Sequence, residues 1–210
     1  MSVHESNSFQ ILLAPSPAQS AQTLAELAEL HRIEAERTPA QVAQAMADDK
    51  EESIFIYRAQ LGEWFNAQTL PQVAALSARV KNDEGINTAE AKTGFARVRP
   101  YNQDHTLHPV CATKTKNDSY PSGHTTSGYL MALTLVDMLP EQRDMILARA
   151  NDYAYNRLVC GVHFRSDTEA SKLLAYAIHA VMATKPAYQQ ELAAARAELR
   201  ALPAAAPLLK

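Results

Sequence analysis

Apolar residues recur at helical spacing along most of this chain, and this periodicity constrains the fold more than any other feature. Between residues 24 and 33 the apolar positions are three residues apart with glutamates between them, as on one buried face of a helix. No stretch alternates apolar and polar residues with a period of two, and the 210 residues include only 6 glycines. The sequence therefore predicts an all-α protein, a single-domain helical bundle.

Prolines and capping residues set the predicted limits of the helices. Thr38 followed by Pro39 is typical of a helix N-cap and its first turn. Residues 101–119 show no sustained period, which indicates a long loop of the kind that shapes functional sites. Further helices are predicted over residues 52–67, 71–83, 86–95, 123–138, 141–158, 164–183 and 187–201.

Composition divides the chain into three regions. Residues 1–22 contain two prolines and many Ser and Gln residues, which is typical of an extended arm rather than a packed element. Residues 23–202 carry the helical pattern and form the predicted domain. Residues 203–210 are expected to be a frayed tail.

The charge balance argues against several classes of partner. The formal net charge is -3 and no block of Lys and Arg stands out, so neither nucleic acid nor an anionic membrane surface is expected. The least charged stretch, residues 120–136, is too short and too polar to span a bilayer. The first residues lack the pattern of a secretory signal, which fits a cytoplasmic protein or a mature exported chain. Several apolar helix faces leave room for a homo-oligomer.

A first cluster of cations lies at the end of a predicted helix. Lys92 and Arg99 are seven residues apart, which is two helical turns, so we expect them on one face with Pro100 ending the helix. Two cations on one face repel each other unless an anion lies between them. Such a pair by itself is usually solvated surface charge.

A second cluster, Pro121-Ser122-Gly123-His124, stands where a helix is predicted to begin. Helix N-termini present unpaired N–H groups and a positive dipole end, which suits them to phosphate oxygens. The same dipole lowers the pKa of His124, keeping it in a range useful for proton transfer. The structural alternative is a serine N-cap beside a turn.

A third cluster contains Arg157, His163 and Asp167. His163 and Asp167 are four residues apart, so in a helix the carboxylate could accept the Nδ1 proton and leave Nε2 free as a nucleophile. A His–Asp surface pair of little energetic value is the alternative. Arg157 adds a third cation, and together the three clusters predict a pocket for a phosphate dianion.

Two cysteines, Cys111 and Cys160, each lie close to one of these clusters. A disulfide between them would imply an oxidising compartment. Two buried free thiols fit this number of cysteines equally well. Neither cysteine has a partner at the short spacing that zinc sites use.

The three clusters taken together resemble a known signature. Lys92-x6-Arg99-Pro100, Pro121-Ser122-Gly123-His124 and Arg157-x5-His163-x3-Asp167 are similar, in order and spacing, to the motifs of the type 2 phosphatidic acid phosphatase and vanadium haloperoxidase superfamily. The string Asp118-Ser119-Tyr120-Pro121-Ser122-Gly123-His124-Thr125 most resembles class A bacterial non-specific acid phosphatases, a likeness that extends from about residue 36 to 200.

This resemblance implies a broad-specificity acid phosphatase that uses small phosphomonoesters and needs no metal or cofactor, and it leaves open whether phosphotransfer to alcohols competes with hydrolysis. It implies that His163 forms a phosphohistidine, that Asp167 orients it, and that His124 protonates the leaving group. The phosphoryl oxygens would be held by Lys92, Arg99, Arg157, Ser122 and the Gly123 amide. It also implies export to the periplasm or beyond.

Two other functions share the same motifs. A vanadium-dependent haloperoxidase uses a similar oxyanion pocket but is usually a much longer chain, and a non-catalytic phosphate-binding bundle would not need all three of His124, His163 and Asp167. A membrane lipid phosphatase would need several spanning helices. Departures from the family pattern at Asn156, Phe164-Arg165 and Ala170-Ser171 bear on specificity rather than on the reaction.

Overall fold

The computed structural model describes residues 7–111 and 115–209, and it confirms the all-α class. The α-helices are α1 (Ser8–Ile11), α2 (Ala21–Glu36), α3 (Pro39–Asp48), α4 (Arg58–Leu61), α5 (Pro71–Phe95), α6 (Pro100–Gln103), α7 (Gly123–Met138), α8 (Arg143–Val159), α9 (Arg165–Ala183) and α10 (Pro186–Ala201). Short 3-10 helices lie at Ile54–Tyr57, Pro140–Gln142 and Pro203–Leu209. No strand occurs in the described ranges.

Helix α7 is the centre of the molecule. It packs against α8, α9 and α5, and α10 closes the far side against α5. Its side chains are buried almost all the way round, including Leu130, Met131 and Leu135, as expected for a helix enclosed by others. The N-terminal end of α7 lies at a gap between the surrounding helices.

A second apolar cluster fastens α2 and α3 to the end of α8. Leu27, Leu30 and Ile33 of α2 pack with Val159 and Phe164 around this junction. The predicted start of α3 is confirmed, because Thr38 and Gln41 form a reciprocal capping box. Through Phe164, this cluster packs the segment before α9 against the rest of the bundle.

Two helix predictions in the middle of the chain were wrong. The predicted helix 52–67 is a 3-10 turn followed by α4, because Gly62 at φ 107° ends the helix and turns the chain. The predicted helices 71–83 and 86–95 are one continuous helix, α5. Gly85 lies inside α5 without interrupting it.

Parts of the predicted arm and tail form helical turns that contact the bundle. Within the predicted arm, residues 8–11 form a helical turn, Phe9 stacks 5.0 Å from Phe95, and Leu12 is buried. In the predicted tail, the 3-10 helix buries Ala205, and the Leu208 carbonyl accepts a bond from Gln142. Apolar contacts hold both segments; residues 1–6 and 210 lie outside the described ranges.

Gly128 fixes how closely α7 and α8 approach. A Cβ at this position would lie 2.5 Å from Cδ1 of Tyr153, whose ring is fully buried. The same ring stacks on His124 with centroids 6.4 Å apart. Because Gly128 has no side chain, the Tyr153 ring can pack against α7 and support His124 in the site described below.

We expect Gly128→Ala to lower the free energy of unfolding by about 1–3 kcal/mol, because the Tyr153 ring must move aside. Gly85→Ala is the matched control: no heavy atom lies within 4 Å of the added Cβ, so the better helix propensity should raise stability by about 0.5–1 kcal/mol. Urea denaturation followed by circular dichroism measures both. Equal effects of the two substitutions would contradict the close α7–α8 contact.

Candidate active site

A cavity of about 330 Å³ opens at the N-terminal end of α7. Predicted site residues from all three clusters line it: Lys92, Arg99, Gly123, His124, Arg157 and His163. Ser122 and Asp167 lie fully buried behind its wall. The structure therefore brings the three sequence clusters together around one space.

The two ring nitrogens of His163 have different kinds of hydrogen-bond partner, one that can only accept and one that can only donate. Nδ1 lies 2.8 Å from the Ser119 carbonyl oxygen, which can only accept, so Nδ1 carries the proton. Nε2 lies 3.2 Å from Nη1 of Arg99, which can only donate, so Nε2 presents its lone pair. Burial and the charges of Arg99, Arg157 and Lys92 hold the pKa of His163 well below its ordinary value. The imidazole is thus neutral with Nε2 unprotonated.

Asp167 contacts His163 less directly than the sequence predicted. Its Oδ2 is 3.3 Å from Nδ1, farther than the Ser119 carbonyl oxygen, because His163 precedes α9 instead of lying within it. Oδ2 also accepts the Ser119 hydroxyl at 2.5 Å and the Phe164 backbone N–H at 2.8 Å. Burial raises the pKa of Asp167 to about 6, although the hydrogen bonds from these donors act to lower it. Asp167 joins the segment before α7 to the start of α9.

Arg97 and Glu26 complete this buried network, and sequence reasoning missed both. Nη1 of Arg97 lies 2.6 Å from Oδ1 of Asp167, and Nη2 lies 3.1 Å from Oε2 of Glu26. Its guanidinium carbon is 4.0 Å above the Phe164 ring. Glu26 in turn accepts the Ser166 backbone N–H at 2.6 Å. The chain of contacts ties α2 to the residues beside His163.

The alternation of charged and apolar residues at Arg97, Val98 and Arg99 was the sequence signal that could have indicated a buried role for Arg97. Residues 96–99 are not helical: α5 ends at Phe95, Ala96 is left-handed, and Arg99 has an extended backbone. In an extended segment alternate side chains share a side. Arg97 and Arg99 are accordingly buried while Val98 between them is exposed.

The prediction that Lys92 and Arg99 share one helical face was wrong, because the helix ends before Arg99. The two cations meet at Asp118 instead. Nζ of Lys92 donates to the Asp118 carbonyl oxygen at 2.8 Å, and Nε of Arg99 contacts its carboxylate at 2.8 Å. Burial lowers the pKa of Lys92 to about 8, so its amine stays charged in acid. Burial opposes ionisation of Asp118, but Arg99 holds its pKa below the ordinary value.

Arg157 reaches the cavity from the last turn of α8. Its Nη1 contacts Oδ1 of Asp49 at 2.7 Å. Its Nε is buried and has no hydrogen-bond partner among the described residues. A buried, unsatisfied donor on a cation is costly, and an oxyanion in the cavity would supply an acceptor.

The start of α7 presents Gly123 rather than Ser122 to the cavity. The Ser122 hydroxyl accepts the Thr125 backbone N–H as an N-cap, and its own N–H donates to Ser171 Oγ at 2.7 Å. A Cβ on Gly123 would lie 3.1 Å from Oε1 of Glu84. A phosphate contact from Ser122 would therefore use the hydroxyl proton that the cap leaves available.

His124 lies in the first turn of α7 among opposing charges. Nε2 is 3.2 Å from the Asp49 carbonyl oxygen and 3.7 Å from Oε1 of Glu52. Since Nε2 donates to that carbonyl, Nδ1 is the nitrogen left to exchange a proton. Burial and Arg157 lower the pKa of His124 to about 4, whereas Glu52 and Asp49 act to raise it.

Acidic residues of the cavity were also missed from the sequence. Asp49, Glu52, Glu84 and Asp118 line it beside Lys81, Lys92, Arg99 and Arg157. Lys81 pairs with both Glu52 and Glu84. Nothing in the local sequence distinguishes these carboxylates from surface residues. Glu84 pairs with Lys81 at the i,i+3 spacing of ordinary surface pairs, and the cationic partners of the other three are distant in the chain.

The departures from the family pattern have structural partners. Asn156 donates to Asp48 at 2.7 Å. Ser171 donates to the Asp167 carbonyl at 2.6 Å and accepts from Ser122, so it links the second and third clusters. Arg165 is held by Glu29, outside the cavity.

Cys111 and Cys160 are joined by a disulfide, with Cα atoms 5.1 Å apart. The bond connects the loop after α6 to the end of α8. Residues 112–114 of this loop lie outside the described ranges.

The comparisons with known proteins agree with this geometry. The model of the PAP2 superfamily matches residues 74–191, more than half of the chain. A non-specific acid phosphatase from Providencia stuartii is 34% identical over 140 residues, 63% of this chain and 55% of the relative. One from Salmonella typhimurium is 38% identical over 117 residues, 53% of this chain and 46% of the relative. The chain thus spans about half the length of the curated relatives it matches.

A solved structure has a similar fold. A transmembrane PAP2-type phosphatidylglycerolphosphate phosphatase from Bacillus subtilis superposes with a TM-score of 0.54 at 19% identity, covering 77% of this chain and 85% of that one. In this chain, none of the described helices has the length and apolar character that crossing a bilayer requires.

We expect Arg97→Met to lower the free energy of unfolding by about 3–5 kcal/mol, because it leaves two buried carboxylates without their cation. The matched control is Arg79→Met, which breaks the half-exposed pair with Glu191 and should cost less than about 1 kcal/mol. Denaturant unfolding measures both variants. A loss for Arg97→Met as small as that of the control would show that the buried network contributes little.

Proposed function

The chain belongs to the PAP2 superfamily, and from that premise we propose that it is an acid phosphatase that hydrolyses small phosphomonoesters through a phosphohistidine, without a metal ion. The observation that carries this proposal is the state of His163: a neutral imidazole whose Nε2 lone pair faces a cavity lined by fixed cations. The named acid phosphatases among its relatives support the same reaction.

Binding of the phosphate would use cations that already have partners. Arg99 and Arg157 are paired with Asp118 and Asp49 at the cavity. A dianion would take over part of these contacts and satisfy Nε of Arg157, while the first-turn amide of Gly123 adds a donor. Lys92 and the Ser122 hydroxyl proton would complete the set. These fixed charges supply the neutralisation that phosphoryl transfer requires.

In the first chemical step, Nε2 of His163 forms a bond to phosphorus and the ester P–O bond breaks. The proton on Nδ1 of His124 passes to the departing oxygen, so an alcohol leaves. The phosphorylated imidazole keeps its Nδ1 proton and carries positive charge. The Ser119 carbonyl and the Asp167 carboxylate lie where they stabilise that charge.

In the second step, a water molecule attacks the phosphohistidine. His124 accepts a proton from this water, the P–N bond breaks, and the electron pair returns to Nε2 of His163. An alcohol that replaced the water would give phosphotransfer instead of hydrolysis. The first step needs His163 neutral, and both steps need His124 able to change its charge.

The disulfide supports an oxidising location for this enzyme. Bonds such as Cys111–Cys160 persist in the periplasm or outside the cell rather than in the cytosol. We therefore place the proposed phosphatase in the periplasm or among secreted proteins.

The test is hydrolysis of p-nitrophenyl phosphate in the presence of EDTA. We expect turnover that vanadate inhibits, and we expect His163→Ala to reduce it on the order of 10⁴-fold or more, because the nucleophile is removed. His124→Ala should allow a phosphoenzyme to accumulate, since this substrate needs little protonation of its leaving group. Mass spectrometry after acid-free quenching detects the added phosphate.

The control for these variants is His179→Ala, which removes a histidine paired with Asp137 far from the cavity and should keep wild-type turnover. A wild-type rate in His163→Ala would contradict the mechanism. Halide oxidation after vanadate loading, without phosphatase activity, would instead indicate a haloperoxidase.

The charge of His124 predicts an acid pH dependence. The reactive form has His124 protonated, and in the free enzyme its pKa is about 4, so kcat/KM should fall as the pH rises above that value. The Glu52 carboxylate acts to raise this pKa. Glu52→Gln should therefore move the alkaline limb of the kcat/KM profile to lower pH. An unchanged or more alkaline limb would contradict the assignment of His124 as the acid.

A further inference from the structure

A second cavity, of about 500 Å³, lies beside the candidate active site. It is a groove between the 3-10 turn at Ile54–Tyr57 and α5. Its apolar lining residues are Phe55, Ala67, Ala74 and Ala78. Glu51 and Arg58 stand among its polar lining residues. We call it the α5 groove.

The α5 groove adjoins the phosphate cavity. Glu52 and Lys81 line both spaces, and their side chains form an ion pair at the boundary. Both side chains remain about one-third exposed. The boundary is thus made of two movable charged side chains rather than of backbone.

The groove begins close to the residue that protonates the leaving group. In an in-line displacement, the leaving oxygen is opposite Nε2 of His163 and next to the group that protonates it. That group is His124, through Nδ1, in the mechanism above. Glu52, whose Oε1 lies 3.7 Å from the other ring nitrogen of His124, Nε2, also lines the α5 groove, so one side chain separates this histidine from the groove.

The shape of the groove suits a flat apolar group. Phe55 is 8% exposed and is held edge-on against Phe65, with ring centroids 5.2 Å apart. Aromatic rings pack favourably against such a fixed ring, and the alanines opposite leave space for one. The volume falls within the usual range of small-molecule pockets.

We propose that the α5 groove is the leaving-group subsite and that it favours phosphomonoesters of aromatic alcohols over those of small polyols. This inference rests on the proposed phosphatase function and deepens it. Phe55 and Ala78 are the residues that determine the preference: the first supplies the packing surface, and the second supplies the space.

The experiment fills the groove and compares two substrates. Ala78 is exposed on α5, so Ala78→Trp places a large ring in the groove without disturbing the core. We expect kcat/KM for 1-naphthyl phosphate to fall at least about 10-fold, the effect of losing an apolar contact in a pocket. For glycerol 2-phosphate, kcat/KM should change less than about 3-fold. Ala78→Leu, which alters the helix less, should give an intermediate ratio.

The matched control is Ala193→Trp, at an exposed position in a groove on α10 away from both cavities. It should leave both substrates unaffected. If wild-type enzyme hydrolyses both esters and Ala78→Trp changes them equally or not at all, the groove is not the leaving-group subsite, although the phosphatase function stands. If wild-type enzyme hydrolyses neither ester, the proposed function itself fails.

Discussion

The buried carboxylate of Asp167 is the contact on which the rest of the site depends. It accepts hydrogen bonds from Arg97, from the Ser119 hydroxyl and from the Phe164 backbone, which belong to three separate segments of the chain. A charge removed from water must be fully paired, so these segments can only settle where all three donors reach it. His163 is oriented as a consequence, since its ring lies between the Ser119 carbonyl and Arg99.

The second constraint is the balance of charge within the cavity. Cations that would repel one another are held together by acidic residues: Asp118 contacts Lys92 through its backbone carbonyl oxygen and Arg99 through its carboxylate, and Asp49 contacts Arg157 through its carboxylate. A bound dianion would take over part of this role. Burial and Arg157 lower the pKa of His124, whereas Glu52 and Asp49 act to raise it, so Arg157 and Asp49 take part in both the charge balance and the acid chemistry.

The helical class, the start of α3, the limits of α7, α9 and α10, and the members of the three clusters could be predicted, because each depends on residues within a few turns of one another. The failures have a common cause. Two predicted helices form the single helix α5, and the cation pair expected on a helix spans a helix end. The backbone at Gly62 and Ala96 was decided by the packing around it. Arg97 and Glu26 were missed because their significance lies in partners about 70 residues away.

The sequence by itself determined that the chain is helical and that its three clusters contain two histidines, three cations and a glycine in an order similar to that of the PAP2 superfamily. These are properties of composition, periodicity and spacing. Only the tertiary structure decided which carboxylate faces each cation, that Ser119 rather than Asp167 makes the shorter contact to His163, and that a groove with an apolar lining adjoins the phosphate cavity. Such pairings bring together distant segments, and burial selects them after the helices have packed.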